Sequence, residues 1–123
     1  MRYVYNKLVR DNIPDNINKK GKKCNYRILD DDEYIKELDR KLLEEANEFL
    51  EEHSIQELGD LIEVILAIME VKNLSIKEVE EARNIKKCEK GGFEKKIYLI
   101  DVEEEKNEKE EAELSKKWRC KGN

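Results

Sequence analysis

The sequence predicts an all-α fold: an antiparallel helical hairpin plus a third helix, forming a helical bundle. Three features of the 123-residue chain predict it. Apolar residues recur at helical spacing from Asp30 to about Glu52, and again from Ser54 to about Lys72. Ser-x-x-Glu stands at Ser54–Glu57 and at Ser75–Glu78, the pattern in which serine caps a helix and glutamate reaches back to it. Only a few residues around His53 separate the first two periods, and so short a link makes them antiparallel neighbours.

Residues 1 to about 29 mix short apolar pieces with turn signals. Pro14 disfavours helix at Ile13, and Gly21 among four lysines reads as an exposed loop. Asp30, Asp31 and Asp32 then offer N-caps and complement the dipole of the first long helix. Ser54 opens the second with a capping box. Ser75 opens the third, which Gly91-Gly92 ends. Phe93 to Val102 alternates imperfectly and leaves room for a short strand near 97–102, around Ile97-Tyr98-Leu99-Ile100. We therefore expect one domain over 1–102 and a charged C-terminal helix or tail over 103–123, which Trp118 could dock.

Composition narrows the function classes. Lys and Arg number 25 against 30 Asp and Glu, a formal charge of −5, which gives no electrostatic reason to bind nucleic acid. Charged residues make up 45% of the chain, so the core must be narrow. Leu, Ile, Val and Phe still supply roughly a quarter of the chain, above the floor of about 20% below which highly charged chains stay disordered. The longest unbroken apolar run, Val64 to Met69, falls far short of the roughly 20 residues of a membrane span. The opening residues reach charge too soon for a signal peptide, so a cytoplasmic location is expected. Cys24, Cys88 and Cys120 are too widely spaced for a zinc knuckle, a redox motif or a disulfide framework, and the lone His53 completes no ordinary zinc site. With no Gly-rich phosphate loop, chemistry falls to the carboxylates.

On a helical wheel, Ile35, Leu38, Leu42, Ala46 and Phe49 share one arc of the first long helix, widened by Leu43 and Leu50. Glu45 lies on the rim of that arc, Glu48 further round, and Glu44 points away into solvent. On the second long helix, Glu57 falls inside the apolar arc and Asp60 beside it. In a tight hairpin, Glu48 faces the level of Glu57 and Glu45 the level of Asp60. Four acids beside apolar walls raise one another's pKa unless a cation neutralises them. Hard divalent ions, Mg²⁺ or Mn²⁺, suit such oxygen ligands. The bland readings are a capping box for Glu57, a dipole role for Asp60 and surface pairs with Lys41 for Glu45 and Glu48.

The run Glu44-Glu45-Ala46-Asn47-Glu48, followed by Glu57-Leu58-Gly59-Asp60, resembles the Glu-Glu-x-x-Glu … Glu-x-x-Asp signature of the MazG-like all-α nucleoside triphosphate pyrophosphohydrolases. The opening Tyr5-Asn6-Lys7-Leu8-Val9-Arg10-Asp11-Asn12-Ile13-Pro14 and the later Lys90-Gly91-Gly92-Phe93 resemble the phosphoribosyl-ATP pyrophosphohydrolase-like branch of that superfamily. The last segment carries Lys90 where Arg is expected. The resemblance implies Mg²⁺-dependent hydrolysis of a nucleoside triphosphate to monophosphate and pyrophosphate. It implies metal ligands at Glu45, Glu48, Glu57 and Asp60, with Glu44 at most an outer, water-orienting group of the catalytic set Glu44, Glu45 and Glu48. A triphosphate also needs cations, for which Lys7, Arg10, Lys86 and Lys90 are the candidates. Members assemble bundles from two or more subunits, which implies a homodimer or homotetramer whose oligomerisation completes the bundle. The alternative is a helical nucleotide-binding or regulatory module of the same fold without turnover.

Overall fold

A computed structural model describes residues 1–105; Trp118, Cys120 and most of the charged tail lie outside the described residues. Four helices follow one another: α1 (Ile13–Lys19), α2 (Asp31–Glu52), α3 (Ile55–Val71) and α4 (Ile76–Lys90). Contacts divide the chain into two units, Met1–Asn73 and Leu74–Asn123.

In the first unit, α1 corrects the expectation for Pro14. The proline occupies the first turn of a helix that starts at Ile13, a place where its missing N–H has no helical partner to lose. Further along, Asp30 is extended and accepts the Glu33 N–H at 2.9 Å, which caps α2. Both terminal nitrogens of Arg27 donate to the Glu33 carboxylate, at 3.0 and 2.6 Å. That fork holds the Glu33 carboxyl down to about 2 and ties the incoming chain to the first turn of α2.

Helix α2 ends at His53, whose backbone is left-handed at φ 52° and whose N–H donates to the Phe49 carbonyl at 2.6 Å. Ser54 returns to extended backbone and caps α3 by accepting the Glu57 N–H at 3.2 Å. Two residues thus reverse the chain, and α2 and α3 pack along one another as an antiparallel hairpin. Its core is as narrow as the composition requires. Leu38 from α2 and Val64 and Met69 from α3 are the buried hydrophobic residues. Leu43 and Leu50 on α2, and Ile62, Ile65 and Leu66 on α3, remain exposed. Cys24 is a half-buried free thiol.

In the second unit, Ser75 and Glu78 form a complete capping box at the start of α4, with Ser75 N–H donating to Glu78 Oε2 at 2.8 Å and Glu78 N–H to Ser75 Oγ at 3.1 Å. Gly91 ends the helix at φ 82°, a conformation that favours glycine. Cys88 is disulfide-bonded, which corrects the expectation that the widely spaced cysteines form no disulfide: a bridge depends on how close the fold brings two thiols, not on their separation in sequence. The stretch near 97–102 forms no strand, and no strand occurs among the described residues. Ile97, Tyr98, Leu99 and Ile100 are exposed, with no partner strand to satisfy a ladder.

Leu38 retains only 3% of its surface, so Leu38→Ala is expected to cost about 2–5 kcal/mol. Urea unfolding followed by circular dichroism measures this; an unchanged midpoint would mean the hairpin core lies elsewhere.

Candidate metal centre

The hairpin brings the acids of α2 and α3 together at the levels that the short reversal dictates. Carboxylate oxygens of Glu45, Glu57 and Asp60 lie within 4.8 Å of one another, and so do those of Glu44, Glu45 and Glu48. Glu45 belongs to both groups and is itself buried, at 6% exposure. Its position is deeper than the rim of the apolar arc that the wheel assigned.

Glu57 settles between two roles on comparison with Glu78. Both stand at the fourth position of Ser-x-x-Glu, and both backbone N–H groups donate to their serine. Glu78 reaches back to Ser75, whereas no such bond closes from Glu57 to Ser54, so α3 has half a capping box. Instead Glu57 Oε2 is buried without a hydrogen-bond partner, as is Glu45 Oε2. A buried acceptor left without a donor costs about 1–3 kcal/mol, and more when charged. Two such oxygens in one carboxylate cluster form a donor set that fits a hard divalent cation.

The electrostatics agree. Burial, then the neighbouring Glu48 carboxyl, pushes the Glu45 carboxyl up, against the pull of Lys41. Glu57 is likewise raised, by desolvation first and then by Asp60, Glu52 and Glu45. Glu48 interacts with both Glu45 and Glu57. Cationic side chains offset part of this repulsion. Lys7 Nζ lies 3.0 Å from Glu44 Oε1 and Lys41 Nζ 3.2 Å from Glu44 Oε2. Arg10 donates to Asp60 Oδ1 at 2.7 Å. Burial works to raise the Glu44 carboxyl, but the bonds from Lys7 and Lys41 outweigh it and hold it below its ordinary value. The bond to Glu44 raises the Lys7 ammonium in turn.

Glu44, Glu45, Glu48, Glu57 and Asp60 thus converge, with Lys7 and Arg10 at their edge. Glu44 does not point freely into solvent as the wheel had it: it is half-buried because Lys7 and Lys41 draw its carboxylate in. Lys86 and Lys90 are exposed on α4, in the second unit. Lys41 meets both Glu44 and Glu45, and its spacing of three and four residues before them is the sequence signal for that contact. No family model, curated protein or solved structure matches this chain.

The raised Glu45 carboxyl carries a sign for stability. Between its unfolded and folded pKa values the folded protein binds more protons, so metal-free stability falls as pH rises through that window. Glu45→Gln removes this loss, and its metal-free melting temperature at neutral pH is expected to equal or exceed that of the wild type. A clear decrease would identify the carboxylate as a structural partner of Lys41 alone.

Proposed function

We propose that this chain is an Mg²⁺-dependent nucleoside triphosphate pyrophosphohydrolase of the MazG-like type, releasing pyrophosphate and a nucleoside monophosphate. The observation that carries the reading is the pair of buried, unpartnered oxygens on Glu45 and Glu57, set among Glu44, Glu48 and Asp60. It is supported by the order of the three sequence segments that resemble that superfamily.

In this reading Glu45, Glu48, Glu57 and Asp60 hold the cation, with Mn²⁺ able to replace Mg²⁺. Once bound, the ion supplies charge to the phosphate oxygens and a more acidic attacking water. Glu44, with both oxygens engaged by lysines, orients rather than ligates. Lys7 and Arg10 stand beside the acids, where their charges can face a polyphosphate that carboxylates alone would repel. Their partial exposure leaves them able to exchange a carboxylate for a phosphate. The exposed Leu43, Leu50, Ile62, Ile65 and Leu66 support a second copy of the hairpin covering this surface, in a homodimer or homotetramer.

The test is pyrophosphate release from standard and modified nucleoside triphosphates with Mg²⁺ or Mn²⁺. Wild type is expected to turn over at least one of them well above a Glu48→Gln control. Glu45→Gln is expected to be nearly inactive, whereas Glu44→Gln loses about 10- to 100-fold, as outer partners of metal ligands do. No release above the control would overturn the proposal, and nucleotide binding without release would indicate a binding module instead. Equal, complete loss in both variants, with helicity intact, would show that Glu44 ligates directly.

A further inference from the structure

We propose that Lys41 is a positioning residue of the carboxylate site: it holds one oxygen of Glu45 so that the other alone is presented to a cation. The inference rests on the reading of the site as a divalent-cation centre and adds to it how the central ligand is aimed.

Lys41 precedes Glu44 by three residues and Glu45 by four, so one α2 face carries its ammonium and both carboxylates. Its Nζ lies 3.2 Å from Glu44 Oε2 and 3.4 Å from Glu45 Oε1. The side chains of Lys41 and Glu45 keep 16% and 8% of their exposure. This is not a solvated surface pair of negligible worth. Withdrawing the ammonium would leave the buried Glu45 carboxylate uncompensated, and that cost holds Lys41 in place.

The two oxygens of Glu45 are consequently unlike. Oε1 faces the lysine, whereas Oε2 is buried with no hydrogen-bond partner. Glu44 braces the arrangement, since its second oxygen takes Lys7 at 3.0 Å. Arg10 on Asp60 differs in kind: that pair is 57% and 40% exposed, and the arginine comes from a separate segment of the chain. Lys41 is fixed to the same helix as the group it orients.

Charge and positioning give opposite signs for the loss of Lys41. As a charge, the ammonium repels a cation, and removing it would tighten binding. As a positioner, it keeps Glu45 from turning, and removal weakens binding by the roughly 10- to 100-fold typical of groups that orient metal ligands. We expect the second effect to win, because Glu45 is shared by both carboxylate groups.

The experiment is a Mn²⁺ titration of the full chain by calorimetry, for wild type, Lys41→Gln, Lys41→Arg and Arg40→Gln. Arg40 is an exposed neighbour paired with Glu37 and controls for simple loss of positive charge. Lys41→Gln is expected to bind Mn²⁺ about 10- to 100-fold more weakly, Lys41→Arg to recover most of the affinity, and Arg40→Gln to match wild type. Lys41→Met, which keeps the aliphatic stem, replaces the glutamine variant if circular dichroism shows lost helicity. Unchanged or tighter binding without Lys41 overturns the proposal, as does failure of the arginine to recover affinity. Wild type that binds no Mn²⁺ overturns the cation reading itself, and this inference with it.

Discussion

Two residues, His53 and Ser54, reverse the chain between helices of 22 and 17 residues, and everything in the candidate site depends on how they do it. A left-handed conformation in a residue other than glycine costs roughly 1–2 kcal/mol. His53 adopts it with its N–H on the Phe49 carbonyl and its ring 4.8 Å from the Phe49 ring, contacts that offset the strain. Ser54 immediately caps the next helix. No slack remains, so side chains equidistant from the turn must share a level, and Glu45 meets Asp60. One inserted residue would rotate the acids of α3 by about 100° and lift them by about 1.5 Å.

The same constraint creates an electrostatic problem that the chain only partly solves. Lys7 and Arg10 come from the segment before α1, and Lys41 from α2 itself, to sit against Glu44, Glu45 and Asp60. The exposed pairs among them are screened by salt and individually weak. They leave the two innermost oxygens, on Glu45 and Glu57, without any donor. The cluster is therefore a place where folding has held like charges together at a cost.

Much of this was legible in the sequence, because its controlling features are local. Helical period, N-cap chemistry and the short link placed α2, α3 and α4 to within a residue or two, and equal distances from the turn paired the acids. Pro14 is ambiguous in sequence, because its ring disfavours helix in the residue before it yet the first turn of a helix accepts proline. Ile97 to Ile100 misled because alternation describes a strand only where another strand pairs with it. The fate of Glu57 was undetermined from Ser54-x-x-Glu57, since the same four-residue pattern closes fully at Ser75. Lys7 and Arg10 carry no sequence sign of their carboxylate partners. Their bonds to Glu44 and Asp60 span 37 and 50 residues, a separation about which periodicity says nothing.

The central claim is that the buried oxygens of Glu45 and Glu57 exist to meet a cation. Anomalous diffraction from crystals of the full chain grown with Mn²⁺ tests it most directly. The account predicts a manganese peak at inner-sphere distance from Glu45 Oε2, shared with Glu57 and Asp60, while Lys41 remains on Glu45 Oε1. A fully ordered cluster with no peak, or a peak only on exposed acids elsewhere, would contradict it.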